Sequence, residues 1–342
     1  MIRVIVVDDS SFMRSILTRM LEKDKDIKVV ETAANGEEAI DKIERVKPDV
    51  VTLDIEMPVM NGIEALTKIM ATNPVPVIVL SALTREGAEV TMEALNLGAC
   101  DFMTKDISDG PLGMASKEAE LIGKVKDVAK RKFSFLVRRL ELLKRPVLIN
   151  RDKRSKHAVL SIGASTGGPP ALQHILTSFP QNFPVPIVIA QHMPKLFTQS
   201  FARRLNGLSQ IEVKEAEDKE PLRPGLALIA PGDVHMGLKK NGKDITVDFV
   251  KDAQYVYRPS VDHLMFSTAQ IYDSSAIGVI LTGMGNDGLV GLKELKRRNG
   301  FVIAQDEETC VVFGMPKAVI NANIADVVLP IERISEEIIR VL

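Results

Sequence analysis

Two cysteines in 342 residues exclude a disulfide framework. Cys100 and Cys310 lie far apart, with neither metal-site nor redox spacing, and are expected to be small buried hydrophobes. No apolar run reaches the roughly 18 residues needed to cross a bilayer. The first segment, MIRVIVVDDS, turns acidic too early to be a secretory leader, so a cytoplasmic location without membrane insertion is expected. Charge of one sign is also missing: the formal net charge is −1, which gives no bulk electrostatic case for nucleic-acid binding. What is present suits soluble α/β domains, and the length is too great for one ordinary core.

Strand and helix patterns alternate in two blocks. RVIVV (3–7), DVVTL (49–53) and VIVL (77–80) are the near-continuous apolar runs of strands covered on both faces. Phe12, Ile16, Leu17, Met20 and Leu21 share one helical face, and Ala39, Ile40, Ile43 and Val46 another. A helical pattern follows from about Ser116 and runs into a stretch rich in Lys and Arg, broken at Pro146. That stretch reads as a solvated connector, with a docking surface for an acidic partner as the alternative. From Ala158 the alternation resumes. AVLSI (158–162), VPIVIA (185–190), LALIA (226–230), AIGVIL (276–281), FVIA (301–304) and DVVLP (326–330) predict strands; PPALQHILTSF, LVGLKELKRRN and ISEEIIRVL predict helices. The organisation expected is a doubly wound (βα)5 domain over 1–122, a helix end and basic linker over 123–155, and a second doubly wound α/β domain with a mostly parallel sheet over 156–342.

Chemistry-bearing residues collect at predicted strand ends. Asp8 and Asp9 follow the first strand and Asp54 the next parallel one. Ligands bind at that edge of such sheets. Three carboxylates there repel one another and call for a hard cation such as Mg²⁺. Ser81 offers a hydroxyl and Lys105 a compact positive charge to the same edge. Together they make a phosphoryl-transfer site with Asp54 as nucleophile. Singly, Asp8 or Asp9 reads equally well as a helix N-cap, and Lys105 as a surface lysine.

In the second block, Gly163-Ala164-Ser165-Thr166-Gly167 lies between a strand and a helix, the context of a nucleophile elbow. A Gly-rich turn there suits a phosphate or a purely structural role as well. A hydroxyl nucleophile needs a base and an orienting acid. His157 lies at the wrong sheet edge, His174 inside a helix, and His263 at the start of one. His192 and His235 both follow strands, and His192 is nearer its strand end. Asp287, in GMGNDG, is the preferred acid and Asp233 its competitor; Asp287 also reads as a helix N-cap.

Taken jointly, the motifs resemble two known patterns. DD at 8–9, LDIEMPVMNG around Asp54, SA at 81–82 and GACDFMTK ending at Lys105 resemble the receiver domain of two-component response regulators. The resemblance implies Mg²⁺ on Asp9, Asp54 and the Glu56 carbonyl, with Asp8 in support and Phe102 at an aromatic switch position. Asp106 stands where receivers usually carry proline, and Asn61 replaces a usual aspartate. SIGASTGG (161–168), QHMP (191–194), APGDVHM (230–236), RPSVD (258–262) and LTGMGNDG (281–288) extend the likeness over the full length, to the chemotaxis response-regulator protein-glutamate methylesterases. That family implies catalytic Ser165, His192 and Asp287, an oxyanion donor at the Met284 N–H, and no cofactor for hydrolysis. It implies methylated chemoreceptors as substrate, a chemotaxis sensor histidine kinase as phosphodonor, and relief of inhibition when Asp54 is phosphorylated. Deamidation of receptor glutamines is a further activity of some relatives. A monomer is expected. A DNA-binding regulator is the competing class, with only the basic linker in its favour; a non-catalytic anion-binding scaffold is another.

Overall fold

The computed structural model describes residues 1–105, 110–129, 157–251 and 254–342, with side chains from 117 onward in the second of these stretches. The basic linker and the Lys105–Asp106 peptide lie outside them. The chain forms two compact units.

The first unit alternates β1 (Ile2–Val7), α1 (Ser11–Leu21), β2 (Ile27–Ala33), α2 (Gly36–Val46), β3 (Val50–Asp54), α3 (Gly62–Thr72), β4 (Val77–Ser81), α4 (Arg85–Asn96), β5 (Asp101–Thr104) and α5 (Gly110–Ala129). All the strands pair in parallel, in the order β2-β1-β3-β4-β5. This is the doubly wound (βα)5 sheet expected. The apolar runs fill its centre: β3 and β4 are buried along their whole length. Helix α1 buries Ile16, Leu17, Met20 and Leu21, but Phe12 is 66% exposed. Phe12 sits in the first turn, where the periodic pattern outruns the surface α1 covers. Helix α5 starts before the Ser116 expected and passes through the boundary placed at 122. Asn61 caps α3 reciprocally with Glu64, which explains how it serves in place of an aspartate.

The second unit runs β6 (Val159–Ala164), α6 (Gly168–Thr177), β7 (Ile187–Gln191), α7 (Lys195–Leu208), β8 (Glu212–Glu215), β9 (Leu226–Ile229), β10 (His235–Asn241), β11 (Asp244–Val250), α8 (Val261–Tyr272), β12 (Ala276–Ile280), α9 (Leu289–Arg297), β13 (Phe301–Gln305), α10 (Met315–Asn321), β14 (Val327–Leu329) and α11 (Ile331–Val341). Its seven-stranded sheet has the order β14-β13-β12-β6-β7-β9-β8 with parallel pairings throughout. From β6 the chain adds β7, crosses to the edge strand β8 and steps back to β9 between them, then returns through α8 and builds outward from β12 on the other side. The β6/β12 boundary is therefore the topological switch point. Strands β10 and β11 form a separate antiparallel hairpin, absent from the sequence expectations, as was β8. The hairpin lies against α8, where the Leu238 N–H donates to the Ser267 hydroxyl. Cys100 and Cys310 are both buried, as expected. Among the described residues no helix is long and apolar enough to cross a membrane.

Helix α8 approaches β6 very closely. A Cβ on Gly163 would come within 2.2 Å of Val261 Cγ1, the first residue of that helix. Gly163→Ala must push the start of α8 off the sheet, and overpacking of this kind costs roughly 1–3 kcal/mol. The urea midpoint should fall accordingly with the slope unchanged; an unchanged midpoint would show that α8 is not held this tightly.

Candidate functional site

The β6–α6 turn positions Ser165. Its N–H donates to the Thr282 carbonyl (3.0 Å), and the Gly168 N–H closes the turn on the Ser165 carbonyl (2.7 Å). Gly167 has φ +75°, and a Cβ there would strike Val311 at 2.4 Å, so both conformation and space require glycine. Pro169 and Pro170 fill the first turn of α6, where their missing N–H groups cost nothing. His192 follows β7 directly and its N–H donates to the Ala164 carbonyl (3.1 Å). Its Nδ1 lies 3.1 Å from Ser165 Oγ, and its Nε2 lies 2.7 Å from Asp287 Oδ2.

Asp287 is nearly buried and accepts from five donors. These are His192, the N–H groups of Val261 (2.8 Å), Asp262 (2.9 Å) and Gly288 (3.1 Å), and the Ser260 hydroxyl (3.1 Å). The N-cap alternative does not hold: α9 begins after Gly288 with no side-chain cap, and the Asp287 carboxylate instead accepts from the first N–H groups of α8, whose own N-cap is Ser260. Desolvation alone would raise the Asp287 pKa; the His192 hydrogen bond and charge, with the Asp262 and Val261 N–H groups, overturn that and hold it below its ordinary value. An ionised carboxylate accepts a hydrogen bond from Nε2–H, which leaves Nδ1 unprotonated. The Nδ1 lone pair then faces the Ser165 hydroxyl.

The other candidates lie elsewhere. His235 begins β10, fully buried, with its ring packed against Tyr255 and near His263. His157 is buried near Phe301. Asp233 pairs with Lys195 at 2.8 Å on the surface. The segment carrying Met284 passes beside Ser165: a Cβ on Gly283 would come 2.8 Å from Ser165 Cβ. Among the described residues no hydrogen bond accepts from the Met284 N–H.

Three residues were missed from sequence. Gln191 Nε2 donates to both the Ser165 and His192 carbonyls (3.0 Å each), tying the Ser165 turn to the start of the His192 loop. Thr282 donates its hydroxyl to the Thr166 carbonyl (2.8 Å) and accepts from the Val312 N–H (2.9 Å). Gln305 Oε1 accepts from the Thr282 N–H (2.8 Å). Gln191 and Thr282 stood inside quoted motifs; Gln305, at the end of β13, carried no signal.

In the first unit, Asp8, Asp9 and Asp54 each place a carboxylate oxygen within 4.8 Å of the others. Lys105 Nζ bridges Asp8 (2.8 Å) and Asp54 (2.5 Å). Burial pushes the Asp54 carboxyl above its ordinary value, with Lys105 pulling against it and Asp8 pushing further. Desolvation would lower the Lys105 pKa, but its hydrogen bonds to Asp54 and Asp8 hold it above the usual value. The Glu56 N–H reaches Asp54 Oδ1 at 3.3 Å. The Ser81 hydroxyl accepts from Thr91 Oγ1 (2.8 Å), and Phe102 is buried in β5. A cavity of about 360 Å³ is lined by Asp9, Asp54, Glu56, Ser81 and Lys105 among others.

Fold and site together define a two-unit α/β protein whose second unit carries the hydroxyl–imidazole–carboxylate arrangement of serine hydrolases. Comparison with known proteins agrees. Residues 160–338 match the CheB methylesterase family and residues 4–115 the response regulator receiver domain. A protein-glutamate methylesterase/protein-glutamine glutaminase of Pyrococcus abyssi is 45% identical, covering 99% of this chain and 93% of that protein. The one of Thermotoga maritima is 47% identical, covering 100% and 98%. The crystal structure of the T. maritima CheB methylesterase catalytic domain aligns with TM-score 0.53 at 49% identity, over 54% of this chain and 99% of that one. The chain belongs to the CheB methylesterase family.

Removing the Asp287 carboxylate should cost stability as well as reactivity. Asp287→Ala orphans the donors at the start of α8 and is expected to lose roughly 3 kcal/mol, whereas Ser165→Ala should stay within about 1 kcal/mol. The folded pKa is depressed, so this stabilisation is complete above the ordinary carboxylate value of 3.8 and fades as pH falls through the lower folded value. Denaturant melts of both variants at pH 7 and pH 3 check it. Equal stabilities at pH 7 would contradict the capping role.

Proposed function

We propose that this chain is a phosphorylation-controlled protein-glutamate methylesterase of chemotactic adaptation, acting as a cytoplasmic monomer on methylated chemoreceptors. The observation that carries the reading is the hydrogen-bonded run from Ser165 Oγ through His192 to Asp287. Ser165 Oγ attacks the glutamyl ester carbonyl as its proton passes to His192 Nδ1. Asp287 holds Nε2–H and offsets the imidazolium charge. The Met284 N–H stabilises the oxyanion. His192 returns the proton to the departing methoxide, and methanol leaves. Water then gives a proton to the same nitrogen and attacks the acyl-enzyme; the bond to Ser165 Oγ breaks, the proton passes from Nδ1 to Oγ, and the glutamate carboxylate leaves. None of these steps calls for a cofactor. An amide entering the same cycle would leave as ammonia, and the relatives' names include glutaminase activity. Deamidation of receptor glutamines is therefore a second reading.

Asp54 is the proposed phosphoacceptor, and a chemotaxis sensor histidine kinase the proposed donor. Asp9, Asp54 and the Glu56 carbonyl, with Asp8 in support, form a hard-oxygen set suited to Mg²⁺. When bound, that ion neutralises the transferring phosphoryl oxygens. Lys105 contacts both carboxylates and is placed to take up the new oxygens, while Ser81 and Phe102 reorganise around them. The modification adds nearly two negative charges to the cluster and relieves inhibition of the esterase. The domain limits 1–122, 123–155 and 156–342 stand as part of this proposal, although the first falls within α5.

Methanol release from methylated receptor tests the scheme. Ser165→Ala should cut turnover by roughly 10⁴-fold or more; retention of most activity would remove the nucleophile. A small-molecule phosphodonor should activate wild type and leave Asp54→Asn unchanged. Equal activation of the two would rule out the control scheme.

A further inference from the structure

The base carries an aromatic cover that the steps above do not use. The Tyr257 ring stacks on the His192 imidazole, with centroids 4.4 Å apart and planes within 14° of parallel. Tyr257 arrives from the stretch preceding α8, so the helix held by Asp287 also sets its approach. Its hydroxyl lies near the oxyanion loop: a Cβ on Gly285, which has φ +79°, would sit 3.5 Å from Tyr257 Oη. Tyr257 remains 36% exposed although one face is against the ring of the base. It is thus placed at the mouth of the site rather than in the core.

We propose that Tyr257 is a positioning residue that fixes the plane of His192 and stabilises its cationic form through the face of the phenol ring. This rests on the acyl-transfer reading. In the resting state a neutral imidazole stacked on tyrosine gains ordinary ring–ring contact. When the Ser165 Oγ–H bond breaks and the proton binds Nδ1, the imidazole becomes a cation held over the electron-rich face of an aromatic ring, an attraction the resting state lacks. Asp287 offsets the same charge in the ring plane, at Nε2; Tyr257 acts perpendicular to it. The cationic form persists until the Nδ1 proton passes to the leaving oxygen. An interaction present only while the charge exists lowers the barrier without tightening substrate binding.

The test places phenylalanine, leucine and a series of mono-, di- and trifluorinated phenylalanines at position 257 of the full chain, with methanol release from a methylated chemoreceptor fragment as the readout. Tyr257→Phe keeps the stacked face and should stay within about threefold of wild type. Tyr257→Leu should lose about 5- to 30-fold in kcat and equally in kcat/KM, with KM little changed. Across the fluorinated series, log kcat should fall with each fluorine, because fluorine withdraws electron density from the face while the shape barely changes. A flat fluorinated series, or leucine as active as phenylalanine, overturns the proposal; should the leucine variant fail to fold, the isosteric series decides alone. Ser165→Ala is run in parallel. If that variant stays active, the acyl-transfer reading fails; if it is inactive and the series is flat, only the role of Tyr257 fails.

Discussion

The Asp287 carboxylate draws together the start of α8, the loop after β12 and the imidazole of His192. Taking such a charge out of water costs several kcal/mol unless geometry and hydrogen bonds compensate. Here three backbone N–H groups, one hydroxyl and one ring nitrogen do so, and two of the N–H groups belong to the positive end of α8. The next carboxylate, Asp262, is pushed the other way: burial raises it, its Gly291 N–H contact opposes, and the charge on Asp287 adds to the rise. Of two close acids, the one facing the histidine is held below its ordinary value, and its neighbour is pushed up to about 6. The imidazole is therefore oriented by a rigid helix packed on the sheet, not by a free loop.

Each unit places its chemistry where its own sheet reverses direction of winding. In the first, β1 and β3 are neighbours at that point, and Asp8 and Asp54 stand at their carboxyl ends. In the second, β6 and β12 are the neighbours, and Ser165 and Asp287 come from the turns that follow them. Loops leaving such a pair diverge to opposite faces of the sheet, so a crevice forms without any special device. The glycines that sharpen the second crevice are specified by close approach. Gly167 has Val311 against it and Gly283 has Ser165.

Much of this was legible because strand ends are legible. The apolar runs before Asp54, Ser165 and His192 located three strand ends, and the choice of His192 over His235 followed from distance to a strand end alone. What escaped had a physical reason. Strand β8 has three charged residues among its four and lies at a sheet edge, and the β10–β11 hairpin carries polar residues on its exposed parts, so neither made an apolar run. Phe12 matched the helical period yet faces water, because a period marks a face without showing how far the covering surface extends. Gln191, Thr282 and Gln305 act through backbone carbonyls and N–H groups. Such partners leave no spacing pattern, since any residue supplies the other half of the bond.

The ring nitrogens of His192 are used in the opposite sense to the chymotrypsin-type triad, where Nε2 faces the serine. Strand order accounts for this. Ser165 follows β6 and His192 follows β7, and the two strands are adjacent, with Ala164 in register with Gln191. The Ser165 hydroxyl is thus one strand away from the histidine backbone, within reach of the near nitrogen, Nδ1. Asp287 follows β12, on the far side of β6, so it lies two strand spacings away, about 10 Å at the usual spacing. Only the far nitrogen, Nε2, extends in that direction, and the Asp287 loop supplies the remaining distance. A histidine in this position cannot present Nε2 to the serine without abandoning the acid. The order β12-β6-β7 therefore dictates both the tautomer and which nitrogen carries the proton.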